Sequence, residues 1–152
     1  MPPLLFALAL RWLGLRDQIL TDDELHTVHG ALTMPVGDIV RNWSFGGADY
    51  GVPQAAFFRV LMDRGVGLSE LGFRIPSLLA GLAAVVVIPW LAVDRIGSRA
   101  ATVLAWLLAI APLLVLYSRI VRPYMPVALL ATAAVLCFVR WWSTNSRRAA
   151  AG

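Results

Sequence analysis

Residues 71–93 read LGFRIPSLLAGLAAVVVIPWLAV, and after Arg74 nineteen consecutive residues, Ile75 to Val93, carry no charge. A helix needs about 20 residues, within a range of about 17–25, to cross the hydrocarbon of a bilayer. Two more runs of this kind follow. Ala100 to Ser118 is again nineteen residues without charge, and Pro123 to Val139 is seventeen. All three are rich in Ala, Leu and Val, as packed membrane helices are. The whole chain agrees: of 152 residues 59% are hydrophobic and only 14% charged, where a soluble domain carries roughly 25% charge. The mean hydropathy is +0.73.

Arginine placement orients these spans. All thirteen basic residues are arginine, and the net charge is +4. In a soluble protein that balance would suggest nucleic acid. Here it fits loops held against anionic lipid, with no nucleic acid partner. The basic stretches DRIGSR (94–99) and RWWSTNSRR (140–148) are expected on the cytoplasmic side. The hairpin YSRIVRPY (117–124) and the segment 17–70 then fall outside. The lone Cys137 lies within an apolar run and reads as a packing residue.

Upstream, MPPLLFALALRWLGL is apolar apart from Arg11. It reads as the outer part of a first span (1–16) whose beginning is missing, with an interfacial helix as the alternative. Six of the nine acids lie between Asp17 and Asp49, all in the outer segment. DDELHTVHGAL and VPQAAFFRVLMDRG read as short helices, GDIVRNWSF as a short helix or turn, and GGADYG as a loop.

Thr21-Asp22-Asp23-Glu24 fits a capping box, in which the threonine caps a backbone N–H and Glu24 reaches back to another. That accounts for one or two acids without chemistry. The chemical alternative makes Asp23 a carboxylate that accepts a proton at the membrane boundary, with Asp49 a second acid converging on it or a simple turn residue. His26 and His29 lie one helical turn apart, but with Glu24 they make no established zinc pattern, and no metal ligands are assigned. Arg119 and Arg122 stand where the positive-inside rule disfavours them. They are either snorkelling cations or a phosphate clamp, flanked by Tyr117 and Tyr124.

TDDELHT resembles the first-loop acidic element of the GT-C polyprenyl-phosphate-sugar glycosyltransferases, the protein O-mannosyltransferase and aminoarabinose-transferase branch. DYGVPQAAFFRVLMDRGVGLSELGFRIPSLLAGLAAVVVIPWL is similar to that family's block of an acid, a proline pair and an R-L-P-S-A-L-A-G stretch. YSRIVRPYMPVALL is similar to its hairpin. The matches keep the family's order over roughly 21–140.

The resemblance implies an all-α integral membrane bundle of about four transmembrane helices with an outer loop containing short interfacial helices. It implies the N-terminal membrane part (1–152) of a longer enzyme: 1–16 a partial first span, 17–70 outer, 71–142 three spans, 143–152 a cytoplasmic tail. A sugar would move from a polyprenyl phosphate carrier to a hydroxyl acceptor at the outer face of the cell membrane, and a divalent metal stays open. Asp23 and Asp49 would be catalytic; Glu24, Arg119, Arg122 and Tyr124 would bind substrate. The partners would be the lipid bilayer, the lipid-linked donor and the remainder of the chain. By this reading the 152 residues alone are inactive. A non-catalytic remnant and a small scaffold or transport protein stay open, although the three clean spans lack the acid that ion translocation needs.

Overall fold

The computed structural model describes residues 2–41 and 51–151. Every regular element among them is a helix: α1 Pro2–Trp12, α2 Asp22–Thr33, α3 Val36–Arg41, α4 Val52–Asp63, α5 Glu70–Ile110, α6 Pro112–Tyr117 and α7 Tyr124–Ala151. Glu70–Ile110 and Tyr124–Thr144 are long and apolar enough to cross a membrane. Only 6% of the apolar window of Tyr124–Thr144 is buried, against 44% for Glu70–Ile110. A greasy helix with so little cover is not the core helix of a soluble domain.

A straight helix of 41 residues would be about 60 Å long, twice the roughly 30 Å of hydrocarbon. The chain avoids this by breaking at Gly97, whose φ of 79° and ψ of 161° lie in a region open essentially to glycine alone. The expected loop 94–99 is thus reduced to a reversal at one residue. The two arms fold back on each other: Val85 of the first, Ala109 of the second and Ala7 of α1 pack in one apolar cluster. Further along the same seam, a Cβ on Gly81 would collide with the Ser118 side chain, so the hairpin closes only over a glycine.

The uncharged run 100–118, expected as one continuous span, is two helices. Pro112 has no N–H to give the carbonyl of Leu108, four residues back, and it drives the preceding residue out of the helical region. Ala111 accordingly has φ −56° and ψ 116°. The freed carbonyls are taken by Arg11, which is completely buried. Its Nη2 donates to the Leu108 carbonyl (3.2 Å), Nη1 to those of Ala109 (3.0 Å) and Ala7 (3.3 Å), and Nε to the Ser118 hydroxyl (3.0 Å). An arginine in an apolar segment is costly unless every donor finds an acceptor; here the helix break supplies the acceptors.

α7 runs parallel to the first arm of α5. At one end the Ser77 hydroxyl donates to the Arg122 carbonyl (3.0 Å). At the other, Arg95 donates to the Val139 carbonyl (2.6 Å) and the Ser143 hydroxyl (2.8 Å), and Arg140 faces Asp94 at 3.3 Å. Helices α2, α3 and α4 sit over the first end around an apolar cluster that includes Val28, Ile39, Val52 and Phe58. Phe58 meets Phe73 of α5 edge-on at 4.9 Å, which joins this cap to the long helices.

Candidate active site

Helix α2 begins at the Thr21–Glu24 turn. Glu24 Oε2 accepts from the Thr21 backbone N–H (2.9 Å) and from the Thr21 hydroxyl (3.0 Å), and the expected capping box is present. Three acids in the first turn favour the positive helix terminus. Successive side chains on a helix point about 100° apart, and here that angle separates two fates.

Glu24 turns inward and is completely buried. Its Oε1 accepts from the Val121 N–H at 2.8 Å and lies 3.5 Å from Arg74 Nε. Arg74 is enclosed as well and donates to the carbonyls of Gln18 (2.7 Å), Ile19 (3.1 Å) and Leu15 (3.5 Å). Glu24 was expected to touch substrate; the structure encloses it among protein groups. It ties α2 to the 118–123 hairpin and to the start of α5.

Asp23 turns outward. Arg122 grips its carboxylate with two donors: Nε donates to Oδ2 at 2.8 Å, and Nη2 donates to Oδ1. The Asp23 side chain stays 54% exposed and that of Arg122 only 9%. The hydrogen bond from Arg122, followed by its charge and by a further hydrogen bond from Tyr124, holds the Asp23 carboxyl below the usual carboxylate range, while partial burial works against this. Tyr124 opens α7, and its ring lies 4.9 Å from that of Tyr117. An acid from the start of α2 and a cation and a phenol from one distant segment, the turn that opens α7, therefore meet at one half-open spot. Glu24 fixes that meeting by holding the backbone of Val121, the residue before Arg122.

Asp49 lies outside the described residues. Arg119 is close to Arg122 in sequence but its head goes elsewhere, toward Gly14 and Gln18. His26 and His29 line a shallow recess on the exposed face of α2 with Asp22 and Leu25. Arg11 and Arg74 were read in the sequence only as interruptions of apolar runs. The signal that could have singled them out is the cost of an arginine among apolar neighbours, which demands partners from elsewhere in the chain.

The family model for dolichyl-phosphate-mannose-protein mannosyltransferase matches residues 53–151. The chain belongs to this family. Its members are membrane glycosyltransferases, and the two long apolar helices agree with a membrane protein. No curated protein and no solved structure matches the chain. The family match begins after α2, so Asp23 and Glu24 stand upstream of it. What joins them to the matched residues is contact: Asp23 with Arg122, Glu24 with Arg74 and Val121.

Proposed function

We propose that the chain forms the catalytic end of a glycosyltransferase that moves a sugar from a polyprenyl phosphate carrier to a hydroxyl-bearing acceptor. The observation that carries this reading is the half-exposed Asp23–Arg122 pair, assembled across 99 residues of chain and joined to the family region. In the reaction the acceptor oxygen attacks the anomeric carbon. Asp23 takes the hydroxyl proton, the bond from that carbon to the phosphate oxygen breaks, and the phosphate leaves with the electron pair. Arg122 stabilises the charge that develops there, and Tyr124 can donate to the same oxygens.

A carboxylate held by an arginine is a weak base. A phosphate that draws Arg122 to itself loosens that hold, so donor binding raises the basicity of Asp23 when a base is needed. Glu24 and Arg74 position the pair without touching substrate.

In this reading the two arms of α5 and α7 cross the membrane and the 11-residue α1 is a partial span beside them, with the acidic segment outside. It is supported by Asp94, Arg95 and Arg140 lying together at the end far from the site and by the basic residues clustered there. Asp23→Asn keeps shape and hydrogen bonding but cannot take the proton. In the complete glycosyltransferase, transfer from a lipid-phosphate sugar in reconstituted membranes should fall about 10²–10⁴-fold, with donor binding retained. Transfer equal to wild type in this variant, or donor binding unaffected by Arg122→Gln, would overturn the proposal.

A further inference from the structure

Each buried or half-buried arginine on the site side of the molecule can be asked where its charge is answered. Arg122 faces Asp23 and Arg74 faces Glu24. Arg11 and Arg119 face no carboxylate within ion-pair distance among the described residues. Arg11 is satisfied by neutral acceptors, which meet its donors but leave its charge. Arg119 is less well served, for its Nε is buried and has no hydrogen-bond partner. An unpaired buried donor on a cation is expensive.

The Arg119 head lies beside the Gly14 turn and lines an open pocket of about 560 Å³ between the end of α1 and α6. Gln18 is the other polar group at its rim, and the walls are Leu10, Ile110, Val115 and Leu116. Ile110 and Leu116 are about half exposed, so the apolar wall continues onto the outer surface of the bundle. Arg11 follows Leu10 in the chain and bonds Ser118, the neighbour of Arg119. One positive charge, that of Arg119, thus stands at an open greasy pocket, with the buried Arg11 behind its wall.

We propose that this pocket binds the phosphate head of an anionic phospholipid from the surrounding bilayer, at a place separate from the Asp23–Arg122 pair. The phosphate accepts from the Arg119 guanidinium and Gln18, and the acyl chains lie along Ile110, Val115 and Leu116. Arginine suits this role because its fork matches phosphate oxygens and its charge survives desolvation. The proposal rests on the membrane placement and not on sugar transfer, so inactivity of the chain would leave it standing.

The test uses the full chain purified in non-ionic detergent and reconstituted with phosphatidylglycerol or phosphatidylcholine. Retained lipid is read by native mass spectrometry and stability by the melting temperature. Phosphatidylglycerol should be retained in preference to phosphatidylcholine and should raise the melting temperature. Arg119→Gln should lower that retention roughly tenfold or more, whereas Arg122→Gln should leave it unchanged. Leu116→Trp, which fills the pocket and keeps the cation, should also lose the lipid, and it serves if Arg119→Gln does not fold. Equal retention of the two lipids, or equal phosphatidylglycerol retention by wild type and Leu116→Trp, would overturn the proposal. Stabilisation by inorganic phosphate as large as that by phosphatidylglycerol would overturn it too, by making the pocket a free-anion site.

Discussion

Asp23 and Glu24 are adjacent, both are acids, and both are paired with arginine. Yet the Glu24 and Arg74 side chains are each 1% exposed, while Asp23 keeps about half of its surface in contact with solvent. The enclosed pair is held on all sides by turn, hairpin and long helix. The open pair has one side free for a ligand. A buried ion pair gains little net stability over apolar packing, but removing one partner strands the other. A half-exposed pair contributes little to stability and is free to change partners. The same chemistry, rotated by about 100° around one helix, holds the fold in one case and offers a reactive group in the other.

That contrast can be broken most forcefully at the enclosed pair. Glu24→Ala should cost about 3–5 kcal/mol of stability, because Arg74 is left charged and buried and the Val121 N–H loses its acceptor. Thermal unfolding in detergent measures this. A loss below that expected for a surface substitution would mean that Glu24 is not the node described here.

The open pair is sharpened by pH. Arg122 lowers the folded-state value of Asp23. The stability from the pair is therefore complete above the unfolded carboxylate value of about 3.9 and is lost as pH falls through the lower folded-state value. At neutral pH Asp23 is ionised, and the acid limb of kcat/KM should lie below the ordinary carboxylate range. Arg122→Gln should lower transfer about 10²–10³-fold and move that limb upward. An unmoved limb would separate Asp23 from the proton transfer.

The smallest expected effect is at Thr21. Its backbone N–H still reaches Glu24 in Thr21→Ala, and only the hydroxyl bond is lost. The cost should be about 0.5–2 kcal/mol with little change in transfer. A collapse of activity in this variant would show that the turn, and not Asp23 alone, carries the chemistry.

What the sequence revealed follows the range of the forces involved. The uncharged runs, the helix at Asp22 and the reach of Glu24 to Thr21 are local, and each is legible within a few residues. Contacts across the chain were not legible by pattern. The Asp23–Arg122 contact joins residues 99 apart; the arginine rule put both segments on one side of the membrane, and the family resemblance placed both residues in one candidate site. Arg74 looked like a span boundary because nothing near it in sequence is its partner. The break at Pro112 was locally readable, since a proline inside an apolar run frees a carbonyl, but length alone suggested a single span. The one-residue reversal at Gly97 was hidden because basic residues on both sides resemble an ordinary loop.

The Arg11 contacts have a consequence in time. Its partners Leu108, Ala109 and Ser118 lie 97 to 107 residues downstream. A chain is made at about 5–20 residues per second, so Arg11 waits roughly 5–20 s before the carbonyls that satisfy it exist. During that interval the first helix carries an unmet charge in an apolar setting. It must be kept near water or inside the insertion machinery until the α5 hairpin is complete, which makes assembly of the bundle depend on the order of synthesis.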